Sequence, residues 1–340
     1  MSTYKLKDYQ IFLDNNFIKK TISRNIKKYF PGADKCLDVE SKHFKVIADT
    51  SFLVRYFFTL EDKKGHQWKA EARGNRLNST SYKILEKLWQ KHKYTRYYYP
   101  RPIKYFPKKQ FVLYENYGGM IHRDWPKKSA YHLNKTIPMI ALRLAGLHNT
   151  KISFAKPKTL DQEISSINVI LRKVKKNINK YHPTAEKAAK KLKKFLKNNY
   201  DKSKFVLSHN DFQSSNIIYN PKGAHIGIID FEMMANFFPA ADIANFNVQL
   251  ITMIKNFFPA EKIIYFQNKF IKEYSLHVSQ TRMDEIKKDL PYFETKSILD
   301  ILALYSVYLS LRRGSHQEKI LKNSIAYYYD RLKNLLSTLE

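Results

Sequence analysis

Two short stretches hold side chains whose types and spacing could do chemistry together. Val206-Leu-Ser-His-Asn-Asp-Phe-Gln-Ser-Ser-Asn-Ile-Ile-Tyr219 places His209, Asp211 and Asn216 in the pattern H-x-D-x-x-x-x-N. Ile228-Ile-Asp230-Phe-Glu232 is an apolar strand that ends in two carboxylates. Transfer of a phosphoryl group needs parts of this kind: one carboxylate accepts the proton of the attacking hydroxyl, and two further oxygens fix magnesium on the nucleotide phosphates. Magnesium prefers hard oxygen ligands and takes only one or two from protein. Asp211 fits the first role, and Asn216 and Asp230 fit the second. Apolar residues on both sides of the loop would hold these groups rigidly, which catalysis by positioning requires. The three-residue pattern alone is loose; its weight comes from the strand ending in Asp-Phe that follows it.

The elements that must position these groups fall into two parts. Tyr9, Phe12, Leu13, Phe17 and Ile18 recur at helical spacing and predict helix over residues 4–30. Aromatic and β-branched residues then predict strands over 43–47, 52–60 and 67–72, followed by a helix over 79–92 whose apolar stripe is Ile84, Leu85 and Leu88. A proline-marked extended stretch begins at Tyr97, a strand covers 110–114, and Gly118-Gly119 breaks the pattern. Beyond it the spacing predicts helices over 137–148, 160–179 and 183–198, then a β interlude over 205–231. Further helices are expected over 239–255, 259–276, 294–312 and 317–338. A small β-rich lobe followed by a large helical lobe with a β insertion is the order of a bilobal, protein-kinase-like α+β fold. The expected domains are 1–115, binding nucleotide, and 116–340, carrying the catalytic loop and the acceptor site.

Composition agrees with two packed lobes. The 340 residues are 44% hydrophobic and 14% aromatic, enough for sizeable cores. The one cysteine, Cys36, excludes an internal disulfide framework and a multi-cysteine zinc site. The first ten residues are charged throughout and no run of about 18 apolar residues occurs, so a cytoplasmic protein without a transmembrane segment is expected. Sixty-one Lys and Arg against 30 Asp and Glu give a formal charge of +31, a field that attracts nucleic acid, anionic lipid or phosphorylated compounds.

With these residues in view, the sequence resembles the aminoglycoside phosphotransferase and choline kinase superfamily. His209-Asn-Asp-Phe-Gln-Ser-Ser-Asn-Ile looks like its catalytic loop, and Ile229-Asp-Phe-Glu-Met-Met-Ala-Asn like its metal-binding strand in the choline and ethanolamine kinase version. Pro239-Ala-Ala-Asp-Ile-Ala-Asn245 resembles the segment whose aspartate, here Asp242, braces the catalytic loop. Leu142-Arg-Leu-Ala-Gly-Leu-His148 resembles a Leu-x-x-Leu-His helix end. The resemblance implies a two-lobed fold, ATP or GTP as donor with magnesium, and a small-molecule hydroxyl as acceptor. It assigns His209 and Asp211 to the catalytic loop. Glu232, where protein kinases normally carry glycine, points to the small-molecule branch.

On the nucleotide side, Lys69 on the third strand is the candidate for contact with the α and β phosphates. An ion-pair partner by spacing would fall near Ser81, with Glu86 on another helix face, so Glu86 serves only through a shifted helix or the pair is absent. Thr50 and Ser51 could offer backbone amides at a strand turn, and Glu115 and Tyr117 would belong to the hinge. Gln213 and Glu232 are expected on the acceptor side, with Tyr305 and Tyr308 contributing from the late helices. An aromatic and acidic pocket suits a choline-like cation, but Leu299–Arg313 carries no tryptophan, and polycationic drugs would be repelled. An anionic or glycosylated metabolite, or a lipid-linked sugar, fits the charge better. A competing reading is a nucleic-acid- or anionic-surface-binding protein on the same fold, without turnover; the basic stretch Arg172–Lys204 is either its contact or a solvated helix face.

Overall fold

The structure, a computed structural model, describes residues 6–47, 51–92, 99–116, 118–122, 129–220 and 225–339. The chain divides into two compact units, Met1–Met120 with Ile218–Met233, and Ile121–Ile217 with Met234–Glu340.

In the first unit the opening residues form three short pieces in place of one helix: a 3-10 helix over Leu6–Leu13, α1 over Asn15–Ser23 and α2 over Ile26–Tyr29. The break lies at Asp14, whose carboxylate accepts from the amides of Asn16 and Phe17 at 2.9 and 3.1 Å and so caps α1. These pieces cover one face of an antiparallel sheet formed by β1 (Lys35–Ile47), β2 (Ser51–Glu61), β3 (Gln67–Arg76), β4 (Pro102–Phe106) and β5 (Phe111–Glu115), in the order β1-β2-β3-β5-β4. Alternation along β2 buries Val54, Tyr56, Phe58 and Leu60. Phe12 stacks on Phe111 with centroids 3.9 Å apart, and the Tyr56 hydroxyl donates to the Phe12 carbonyl at 2.6 Å. Cys36 is buried in this core. On β3, Gly74 lies under Phe111; a Cβ there would sit 2.4 Å from the ring.

Helix α3 (Ser79–His92) turns Ile84, Leu85 and Leu88 inward, as its apolar stripe predicts. A second sheet has the order β6-β8-β9, from β6 (Met120–Ile121), β8 (Ile217–Asn220) and β9 (His225–Ile228). Gly119, at φ +91°, passes so close to Tyr219 that a Cβ would lie 2.2 Å from its carbonyl oxygen.

The second unit is mainly helical. It contains β7 (Val206–Ser208), antiparallel to β10 (Ala235–Phe237). Around this ribbon lie α4 (Ala130–His148), α5 (Leu160–Asn177), α6 (His182–Asn199), α7 (Pro239–Ile254), α8 (Ala260–Ser275), α9 (Gln280–Leu311) and α10 (His316–Thr338). Helices α4 and α9 start earlier than the sequence predicts and carry Pro138 and Pro291 in their interiors. Thr159 and Gln162 form a reciprocal cap at the start of α5. Glu163 on that helix is fully buried between the ammonium groups of Lys158 and Lys296, which hold its carboxyl below the usual range against the opposing effect of burial. Phe238 and Phe293 meet with centroids 5.2 Å apart and fix α9 against the ribbon. Among the described residues no helix is long and apolar enough to cross a membrane.

Candidate active site

The H-x-D-x-x-x-x-N segment lies in the second unit as the loop leaving β7. Asn210 takes up φ +60°, a left-handed conformation that asparagine tolerates better than most side chains. Its side-chain amide donates to the carbonyls of Ser208 and Ala235, both at 3.3 Å. The loop hangs from Asp242 in the first turn of α7. This carboxylate is fully buried and accepts from the backbone amides of His209 at 2.7 Å and Asn210 at 2.8 Å. It also meets Nε2 of the buried His148 at 3.1 Å, and Nδ1 of that ring lies 2.7 Å from the Tyr274 hydroxyl. An ionised carboxylate only accepts, so the proton sits on Nε2 and Nδ1 accepts from Tyr274. A buried polar group stays in place when it is hydrogen-bonded in this way.

His209 itself has no exposed surface, and its ring packs edge-on against Phe212 at 6.0 Å. A ring so enclosed packs the loop against its surroundings. Asp211 is held differently. Its carboxylate accepts from Gln213 Nε2 at 2.9 and 3.1 Å and from Asn216 Nδ2 at 2.8 Å, and Asn216 Nδ2 also donates to the Asp211 carbonyl at 2.9 Å. Gln213, expected on the acceptor side, therefore directs its amide at Asp211. Because the Asn216 amide nitrogen is engaged, its Oδ1 remains as a hard oxygen donor, the kind of ligand magnesium takes. Among the described residues no three His, Cys, Asp or Glu side chains cluster as a metal cage.

Asp230 and Glu232 belong to the first unit. Asp230 adopts φ +67°, a strained choice for a residue other than glycine and the kind found where geometry is held for function. The backbone beyond it is tied to the start of α3: Ser81 Oγ donates to the Glu232 carbonyl at 3.2 Å, with Asn78 Nδ2 3.5 Å away. Ser81 thus occupies the helix position where an ion-pair partner was considered, and it holds backbone. The Glu232 residue is exposed, yet partial withdrawal of its carboxyl from water raises its pKa; Asp230 adds to the rise and Arg76 opposes it.

The nucleotide-side expectations meet a different arrangement. Lys69 is exposed on β3, opposite Thr59, outside the stretch of that strand that pairs with β5. Glu86 accepts from the Tyr82 hydroxyl at 3.0 Å on the neighbouring stripe of α3, and no ion pair joins it to Lys69 among the described residues. Four residues further along β3 stands another cation, Arg73. It lies opposite Tyr114 of β5, and Tyr114 is the residue where the fields of Arg73 and Asp230 meet. Burial lifts the Tyr114 hydroxyl to about 12, with Arg73 opposing the shift and Asp230 adding to it. The readable signal was register: of Lys69 and Arg73, four residues apart on one face, only the second is opposite the hinge strand.

Glu115 ends β5 and pairs with Arg101 Nε at 3.3 Å. Thr50 and Tyr117 lie outside the described residues, and Ser51 opens β2. Tyr305 and Tyr308 lie on α9, and Tyr308 is exposed. Tyr305 is half-buried with its ring 6.2 Å from that of Tyr328, and its hydroxyl is bonded to Thr252. Thr252 is about 15 Å along α7 from Asp242 at the rise of an α-helix.

The family model described as choline/ethanolamine kinase matches residues 127–329, more than half of the chain. Among curated sequences no significant match is found. A choline kinase from Cryptosporidium parvum is similar in structure at 17% identity, covering 94% of this chain and 96% of its own, with a TM-score of 0.58. A putative aminoglycoside phosphotransferase from Ralstonia eutropha gives a TM-score of 0.64 at 11% identity, covering 94% of this chain and 98% of its own. An amicoumacin kinase bound to AMP-PNP and Ca2+ gives 0.57 at 14% identity, covering 97% and 96%. These likenesses show the bilobal kinase-like α+β fold, and the match over 127–329 shows the family. The chain belongs to the choline/ethanolamine kinase family, whose members are ATP-using phosphotransferases with a small-molecule hydroxyl acceptor.

Proposed function

We propose that this protein moves the γ-phosphate of ATP to a hydroxyl of a sugar, an amino alcohol or a related metabolite, with Asp211 as the catalytic base and magnesium as the metal. The observation that carries the proposal is the state of Asp211: two side-chain amides aim its carboxylate, and the loop bearing it is pinned by a buried carboxylate. A base held in this way can take the proton of an attacking hydroxyl without first reorganising.

In this reading Asn216, through Oδ1, and Asp230 hold the metal, which when bound neutralises charge on the nucleotide phosphates. AMP-PNP and Ca2+ in the amicoumacin kinase support a nucleotide with a divalent ion; ATP with magnesium is the specific form proposed, and GTP the alternative donor. Arg73, in place of Lys69, contacts the phosphates, since it shares the surroundings of Tyr114 with Asp230. Glu115 and Tyr117 serve as the hinge, within the nucleotide-binding lobe of residues 1–115. Gln213 keeps Asp211 in orientation and Glu232 lines the acceptor side. Choline and ethanolamine are the first acceptors to try, because the family description names them. The net charge of +31 favours a neutral or anionic hydroxyl compound over a polycation.

A metabolite extract supplied with labelled ATP and magnesium identifies the acceptor. The parent should label a discrete product that Asp211→Ala and Asp230→Asn do not form. Parent-like labelling by both variants would overturn the assignment of roles.

A further inference from the structure

The first unit contains a cleft that the proposed reaction does not use. It lies between α2, α3 and β4, the edge strand of the five-stranded sheet, and has a volume of about 620 Å³. That is the size of a small-molecule site. On α3 the residues facing it are Tyr82, Glu86, Trp89 and Gln90, one helical stripe at i, i+4, i+7 and i+8. Ser81, which holds the Glu232 carbonyl, belongs to a different stripe of the same helix. The cleft and the carboxylate segment therefore use separate faces of α3.

Its chemistry is unusual for a surface hollow. Tyr82 and Tyr105 are stacked with centroids 4.2 Å apart and planes within 6°, and both line the cleft as one aromatic pair. Trp89 adds a third aromatic side chain. Three cations, Lys28, Arg101 and Lys104, share the lining with one carboxylate, Glu86. Glu86 already accepts from the Tyr82 hydroxyl. Arg101 is partly engaged by the Tyr29 carbonyl at 2.7 Å and by Glu115. Lys104 Nζ stands 5.9 Å from the Tyr29 ring centroid, a cation–π distance, and Lys28 is exposed. No carboxylate pairs with Lys28 or Lys104 among the described residues. An excess of positive charge beside planar aromatic surface suits a ligand that is itself flat and negatively charged.

We propose that this cleft is a binding site for a small planar aromatic anion, a ring bearing a carboxylate or phosphate, with the ring against Tyr82, Tyr105 and Trp89 and the anionic group at Lys28 and Lys104. Stacking supplies area and the lysines supply sign. A neutral aromatic compound lacks the second part, and a bare anion lacks the first.

The test is calorimetric titration of the full chain with 2-naphthoate, 2-naphthamide and inorganic phosphate as probes. The expected result is saturable one-to-one binding of 2-naphthoate, with the neutral amide and the phosphate each weaker by about tenfold or more. Lys28→Ala combined with Lys104→Ala should weaken 2-naphthoate by about tenfold, while Glu86→Gln should bind at least as tightly as the parent. All three positions lie outside the buried core, and thermal melting of each variant confirms that it is folded. Equal binding of the acid and the amide, equal binding of phosphate, or parent-like affinity in the folded double lysine variant would overturn the proposal.

Discussion

At the scale of single residues, Asp242 matters as much to the loop as Asp211 does to the reaction. It takes two backbone amides and one imidazole. Asp242→Ala should cost about 3–5 kcal/mol of stability in urea unfolding, since it leaves buried donors and His148 uncompensated. Tyr274→Phe removes only the hydroxyl at the far end of this chain and should cost about 1 kcal/mol by the same measurement. Asp211, Asn216 and Asp242 stand out in the sequence because phosphoryl transfer ties residue type to spacing, and the structure joins Asn216 to Asp211 and Asp242 to the same loop by hydrogen bonds. The proposal for Arg73 rests on strand register alone, because many cations crowd the sequence and only Arg73 of the two, not Lys69, lies opposite β5. Gln213, expected on the acceptor side with Asp211, directs its amide at the Asp211 carboxylate, a contact that spacing alone does not show.

Among the elements, those with a clean apolar stripe, such as α3, lie where the spacing predicts, within a residue or two. The misread ends have physical causes. Pro138 and Pro291 look like breakers, but here the helices run through them, with packing on α8 and α7 outweighing one lost hydrogen bond each. Residues 4–30 share one apolar period, and only Asp14 as a cap shows that the period spans separate pieces. The start of β1 was hidden because Lys35–Lys42 has neither an aromatic run nor strict alternation: Cys36 and Leu37 are adjacent, and the register shifts between Cys36 and Asp38. Within the sheet, Gly74 is required by the Phe111 ring that Phe12 clamps from the other side. Gly74→Ala should therefore destabilise by about 1–3 kcal/mol in thermal or chemical unfolding, as overpacking of a rigid core does.

For the whole molecule, the order of a β-rich part and a helical part was readable, but the grouping of Ile218–Met233 with the first unit was not, because it depends on tertiary contacts. Stability should also depend on pH through Asp289 on α9. Burial raises its carboxyl to about 6; Lys204 and Lys288 oppose the rise and Glu285 adds to it. The folded chain thus holds this proton more tightly than the unfolded chain. The stabilisation is complete below about pH 4 and is lost as pH rises through about 6. Asp289→Asn should flatten that part of the profile and be more stable than the parent at pH 7 by about 1–3 kcal/mol, measured by unfolding across pH.

The central claim concerns Asp211, and its most direct test separates chemistry from binding. Single-turnover transfer from labelled ATP to the acceptor found in the extract is compared between parent and Asp211→Asn, with nucleotide affinity measured in parallel. The account predicts that nucleotide affinity persists, that transfer requires magnesium, and that the rate falls by about 10²–10⁴-fold in the variant. Transfer at the parental rate by Asp211→Asn, with magnesium and nucleotide bound, would contradict it.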